Sequence, residues 1–244
     1  LFFFVIFVVL VKKVISCIKF SMEIFQKTIL KPAKFEGIGL HTGLPSQITI
    51  LPGKEDSGIV FKRVDLEKNN LIEAQIHNVC SAKLCTMIKN EFNVKVSTIE
   101  HLMAAFYIVG IDNAVVEINN QEVPIMDGSS KDFVVKLSDS GFQAQKKKRK
   151  FIKILKKVSL NEDNKTLEAE PSNLSLKTTF ELGYKNKIIG NQKNSIDFLN
   201  DDLKEVYNSR TFCLLEDVEK IKKLGLAKGG SLENAIVVDH DKVL

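Results

Sequence analysis

Two adjacent residues, Glu100 and His101, are of the side-chain types that metal-assisted hydrolysis needs. A neutral imidazole ligates zinc well, and a neighbouring carboxylate can manage protons on a metal-bound water. The dipeptide alone says little. Glu on a helix usually faces solvent, and His beside a core is usually a hydrogen-bonded structural residue. Its setting says more: from Ser97 to Ser129 the chain reads STIEHLMAAFYIVGIDNAVVEINNQEVPIMDGS. An apolar helical run leads into a strand, and a turn-rich acidic segment then closes on Met126-Asp127-Gly128. Asp112, Asn113, Glu122 and Asp127 are metal-binding residue types, but their spacing is not that of an EF-hand loop. They read as turn and cap residues that shape a site. His77 has no such context and reads as surface.

Positioning the pair requires a scaffold, and hydrophobic periodicity outlines one. A helix over Ile99–Ile108 places Leu102, Ala105, Phe106 and Val109 at three- and four-residue spacings. Gly110 suits the left-handed cap that ends it. Strands are expected at Gln47–Leu51, Gly58–Val64, Val94–Ser97 and Ala114–Ile118, the last buried on both faces. Asp127-Gly128 turns the chain into a second helix, Lys131–Asp139, closed by Gly141. After a basic stretch come strands at Phe151–Val158, Lys165–Glu170, Leu174–Phe180 and Ser195–Phe198. A helical segment follows at Asp201–Tyr207, then an amphipathic one, Leu215–Leu224, with Val218, Ile221 and Leu224 on one face. Gly229-Gly230 precedes a last strand, Ala235–Val238. The expected class is α+β, in two halves without a strict sequence repeat.

The Ser97–Ser129 stretch resembles the zinc-dependent UDP-3-O-acyl-N-acetylglucosamine deacetylases of lipid A biosynthesis. Four further segments resemble the same family in the same order: Phe35–Gly43 (FEGIGLHTG), the strand pattern ending in GIVFKRVDL, Ser209–Phe212 (SRTF) and Leu226–Asp239 (LAKGGSLENAIVVD). The resemblance implies two similar α+β halves with the active site between them and a β-α-β insertion forming an acyl-chain passage. It implies zinc as cofactor, with His101 as a ligand, Glu100 as general base and Thr211 as the hydroxyl that stabilises the oxyanion. Phe212 would line the substrate cleft, and Leu40, His41, Leu84 and Cys85 would lie near its mouth. Val218, Ala227 and Val237 would fall on the acyl passage, or else be core residues of a helix and a strand. The remaining zinc ligands would come from a His-x-x-x-Asp helix after LENAIVVD. His240 and Asp241 are adjacent and cannot share one helix face at that spacing. This reading expects a truncated, weakly active or inactive chain with one of three protein zinc ligands. The expected organisation is an upstream extension at 1–21, a first domain at 22–143, a basic linker at 144–150 and an incomplete second domain at 151–244.

Composition narrows the alternatives. The 244 residues, 44% hydrophobic and 27% charged, suffice for a real core. Four cysteines without CxxC spacing favour free thiols and a reducing, cytoplasmic setting. The net charge of +5 is uneven: Lys146–Lys157 holds eight basic residues and no acid. Without that run and the three lysines of residues 1–21, 24 basic residues face 30 acidic ones. The run reads as an exposed linker or as a patch for an anionic membrane. It lacks the aromatic interleaving that base stacking needs, which argues against nucleic acid. Partners are thus expected to be the UDP-sugar substrate and at most a weak contact with the inner membrane surface, with the protein a monomer. The apolar run at residues 1–11 is short for a spanning helix, which takes about 20 apolar residues. It reads as translated sequence upstream of a start at Met22, or as an anchor or signal.

Overall fold

The computed structural model describes residues 24–172 and 175–244. The first half runs β1 (Phe25–Ile29), β2 (Ala33–Ile38), β3 (Pro45–Pro52), β4 (Ile59–Arg63), β5 (Leu71–Glu73), β6 (Val79–Ser81), β7 (Met87–Lys89), β8 (Lys95–Val96), α1 (Glu100–Val109), β9 (Ala114–Ile118), α2 (Lys131–Asp139) and β10 (Phe142–Lys148). The second half holds β11 (Val158–Glu162), β12 (Lys165–Ala169), β13 (Lys177–Gly183), β14 (Asn191–Asp197), α3 (Lys204–Asn208), β15 (Phe212–Leu214), α4 (Leu215–Lys223) and β16 (Ile236–Val238). The fold is α+β, as expected. Residues 1–21, Met22 and the expected strand start at Leu174 lie outside the described residues.

A five-stranded sheet in the order β2-β3-β9-β4-β5 is the spine of the first half. β4 and β9 are parallel neighbours, which no tight hairpin can connect. The connection between them carries a small three-stranded sheet, β6-β7-β8, and then α1. Alternation sets the faces: Ser46, Ile48 and Ile50 of β3 point inward. Against the sheet lie Leu102 and Phe106 of α1 and Phe133 and Leu137 of α2, in one core with Phe61, Val116 and Ile118. Gly110 caps α1 at φ 75°.

Several sequence expectations need correction. The basic stretch at 144–150 is not a plain linker. Through Lys148 it is strand β10, antiparallel to β1. Distant acids pair with the run: Lys147 Nζ lies 2.6 Å from Asp56, and Arg149 Nε lies 2.8 Å from Asp112. The expected strand at Phe151–Val158 is irregular up to Lys157, with Phe151, Ile152 and Leu155 more than half exposed. No strand among the described residues pairs with them, so the ladder starts at Val158. Leu224 is 62% exposed and does not join Val218 and Ile221, because it lies past the last turn of α4. Beyond Val158, only Ile189 and Val238 are buried hydrophobics among the described residues.

Candidate active site

Glu100 and His101 open α1, at the end where the helix dipole is positive. Glu100 is not the solvent-facing helix residue that its type suggests. The Thr86 N–H donates to its carboxylate at 3.0 Å, and burial pushes its pKa up to about 7. His101 is buried among the core side chains. Burial brings its pKa down to about 4, so the ring is neutral near pH 7. Its carbonyl accepts from the Ser130 hydroxyl at 2.9 Å, which ties α1 to the start of α2. Thr86 belongs to the turn between β6 and β7, which also carries Leu84 and Cys85. Burial, and next the Glu100 charge, push the Cys85 thiol up to about 11.

The Met126-Asp127-Gly128 turn is clamped onto the second half. Thr211 N–H donates to the Gly128 carbonyl at 2.8 Å, and Ile236 N–H donates to the Thr211 carbonyl at 2.9 Å. Arg210 donates to the Asp127 carbonyl at 2.7 Å and to the Leu232 carbonyl at 3.1 Å. Gly128 has φ 85°, and a Cβ there would collide with the Asn234 carbonyl. The SRTF, MDG and LEN segments therefore form one unit. Burial acts to raise the Asp127 pKa, but hydrogen bonds from Ser129 and the nearby Arg210 outweigh it and hold the carboxyl below its usual range.

The Gly39–Gly43 loop joins β2 to β3. His41 is buried rather than solvated. Its Nδ1 accepts a long 3.4 Å bond from Ala227 N–H, while Nε2 has no hydrogen-bond partner. Burial lowers its pKa, against the Glu122 charge and the Leu84 backbone, which comes close without hydrogen-bond geometry. Gly229 N–H donates to the Leu40 carbonyl at 3.0 Å, so Leu40, His41 and Ala227 meet. Phe212 stacks edge-on with Tyr184, ring centroids 5.7 Å apart. Val218 and Val237 lie half-buried on the unit β15–α4–β16, a parallel β-α-β.

The model for the family described as LpxC, UDP-3-O-acyl N-acetylglycosamine deacetylase, matches residues 26–244. The chain belongs to this family. A UDP-3-O-acyl-N-acetylglucosamine deacetylase of Nautilia profundicola is 43% identical over 220 residues, 90% of this chain and 74% of the relative. Deacetylases of the same name from Phenylobacterium zucineum and Idiomarina loihiensis are 41% and 39% identical, each over 90% of this chain and 75% and 72% of their own lengths.

LpxC membership implies a zinc site, and the donors here answer only in part. His101 suits the metal, being buried and neutral. Among the described residues, however, no three His, Cys, Asp or Glu side chains come together to hold an ion. The described donors do not by themselves complete a metal site.

Sequence reasoning missed the backbone strain. Among the described non-glycine residues at positive φ, Asp56, Asn69, Asn93 and Asp163 are types that tolerate it. The other four are Leu84 (65°), Thr98 (56°), Met126 (55°) and Ala227 (52°). Each lies in a segment that builds the candidate site just described. Such conformations cost roughly 1–3 kcal/mol apiece and gather at functional sites. Neither composition nor period signals them.

Proposed function

We propose that the chain carries the Glu100–His101 part of a zinc-dependent deacetylase that hydrolyses the N-acetyl amide of UDP-3-O-acyl-N-acetylglucosamine. The observation that supports this most is one arrangement: a half-buried carboxylate and a buried neutral imidazole at one helix start, beside the turn that SRTF grips. In the reaction, a C–O bond to water forms, the C–N bond breaks and a proton of that water ends on the leaving nitrogen, giving acetate and a free amine. Glu100 takes the proton of the attacking water, a role a carboxylate fills best when its pKa nears the working pH. Thr211 is fixed through its backbone on both sides and donates its hydroxyl to the developing oxyanion. His101 would be a ligand of a bound zinc, which would supply an acidified water to the reaction. Leu40, His41, Leu84 and Cys85 border the cleft mouth, Phe212 its wall, and Val218, Ala227 and Val237 the acyl passage.

The proposal takes the protein to be a cytoplasmic monomer that binds no nucleic acid and touches the inner membrane weakly. Among the described residues, no helix is long and apolar enough to cross a membrane. Within the described residues the proposal divides the chain into a first domain that runs to residue 143 and a second that begins at residue 151. One observation favours a noncatalytic UDP-sugar or acyl-chain binder: among the described residues no three metal donors come together. Acetate release separates the two. The natural gene product should release acetate from UDP-3-O-acyl-N-acetylglucosamine, stop when chelated and recover with zinc. Binding of the UDP-sugar without any release would establish the noncatalytic reading instead.

A further inference from the structure

Glu122 is a fully buried carboxylate, and N–H and O–H donors meet its oxygens. Its Oε1 accepts from His41 N–H at 2.8 Å and from the Thr98 hydroxyl at 2.8 Å. Its Oε2 accepts from Thr42 N–H at 2.8 Å. Its backbone carbonyl accepts from the Ser46 hydroxyl at 2.6 Å, which fixes it to β3. The carboxylate can approach the Gly39–Gly43 loop this closely because residue 39 has no side chain: a Cβ there would collide with Glu122 Oε2 and the Thr42 hydroxyl. On its other side Glu122 holds Thr98, a β-branched residue at φ 56° two positions before Glu100. Nothing local favours that conformation in a β-branched residue, so the hydrogen bond to Glu122 helps retain it.

We propose that Glu122 is a positioning residue that joins the His41 loop to the Glu100 turn, so that the cleft mouth and the proton-handling carboxylate are set by one side chain. The proposal deepens the deacetylase reading and rests on it for its functional meaning. The linkage runs from Thr42 and His41 through the carboxylate to Thr98, and from there along two residues to Glu100, whose position the Thr86 amide reports. Glutamine at 122 would be a poor substitute. It has one oxygen for three donors, so its NH2 would face either the Thr42 N–H or the His41 N–H with no acceptor between them, and only the Thr98 hydroxyl could turn to accept from it.

The test uses the 15N-labelled 244-residue chain in four forms: unsubstituted, Thr98→Val, Thr98→Ser and Glu122→Gln. Thr98→Val should shift the amide signals of His41 and Thr42, across space, and that of Thr86. Thr98→Ser should return all three to their original positions, because the hydroxyl is restored. Glu122→Gln, which leaves a loop N–H facing its NH2, should move the His41 and Thr42 signals while leaving β11 amides such as Leu160 in place. A Thr98→Val response confined to Ser97–Ile99 would overturn the proposal, as would a folded Glu122→Gln that leaves the His41 and Thr42 signals unmoved. If Glu122→Gln does not fold, the Thr98 pair decides alone. In the natural gene product Thr98→Val should lower kcat about tenfold to a hundredfold, the scale for a misplaced catalytic group, with Thr98→Ser close to the original. Absence of acetate release from the unsubstituted protein would count against the deacetylase reading, while the amide test would still decide the linkage.

Discussion

Glu100 and His101 show what a residue's type reveals and what it hides. Their adjacency and chemistry are legible in the sequence, as is the helix they open. The burial of Glu100 is not, because the group that receives its carboxylate, Thr86, lies fourteen residues back in a turn with little periodicity. Thr211 was legible only through its neighbours in SRTF, and its two backbone bonds reach Gly128 and Ile236, far along the chain. In the natural gene product Thr211→Ala should leave zinc content unchanged and lower kcat about a hundredfold to a thousandfold. That is the usual loss for one oxyanion donor, about 3–4 kcal/mol, and substrate binding should barely change. Turnover and zinc content measured on the same sample check this. A rise in KM with kcat preserved would mean that Thr211 holds ground-state substrate instead.

At the scale of elements, the MDG turn and the β1–β10 ribbon each make a claim that can be measured. Gly128→Ala must meet the Asn234 carbonyl and also adopt φ 85°, whereas Gly58, at φ 64°, has open space around it. Urea unfolding should therefore show Gly58→Ala costing about 1 kcal/mol and Gly128→Ala distinctly more, with SRTF displaced. The ribbon is held by Asp56, whose carboxyl sits well below its usual range, first through Lys147 and then Gln26. A depressed pKa stabilises the folded state above the ordinary carboxylate range and loses that contribution as pH falls. The melting-temperature gap between the unsubstituted chain and Asp56→Asn should thus be widest near pH 7, narrow by pH 3 and shrink with salt. This ribbon is also where the sequence misled. Five consecutive basic residues suggest a solvated linker, and only the fold brings Asp56 and Asp112 alongside them.

For the whole molecule, the described core lies almost entirely before Leu137, with the second half arranged as hairpins and one β-α-β unit. Hydrophobic period located the helices well because both bury a stripe against the sheet. It misplaced the strand at Phe151–Val158, where apolar residues stay exposed and no partner strand fixes the ladder. Leu102→Ala should cost about 2–5 kcal/mol, while Leu160→Ala, at a site 54% exposed, should stay within about 0.5 kcal/mol. Denaturant melts of the two would settle where stability resides. The central claim is that one helix start supplies both a metal ligand and a proton carrier, and the most direct test measures zinc content and turnover together in the natural gene product. His101→Ala should lose bound zinc. Glu100→Ala should keep it and turn over about a hundred- to ten-thousand-fold more slowly. Zinc retained in His101→Ala and lost in Glu100→Ala would contradict the account, because the two residues would then have exchanged roles.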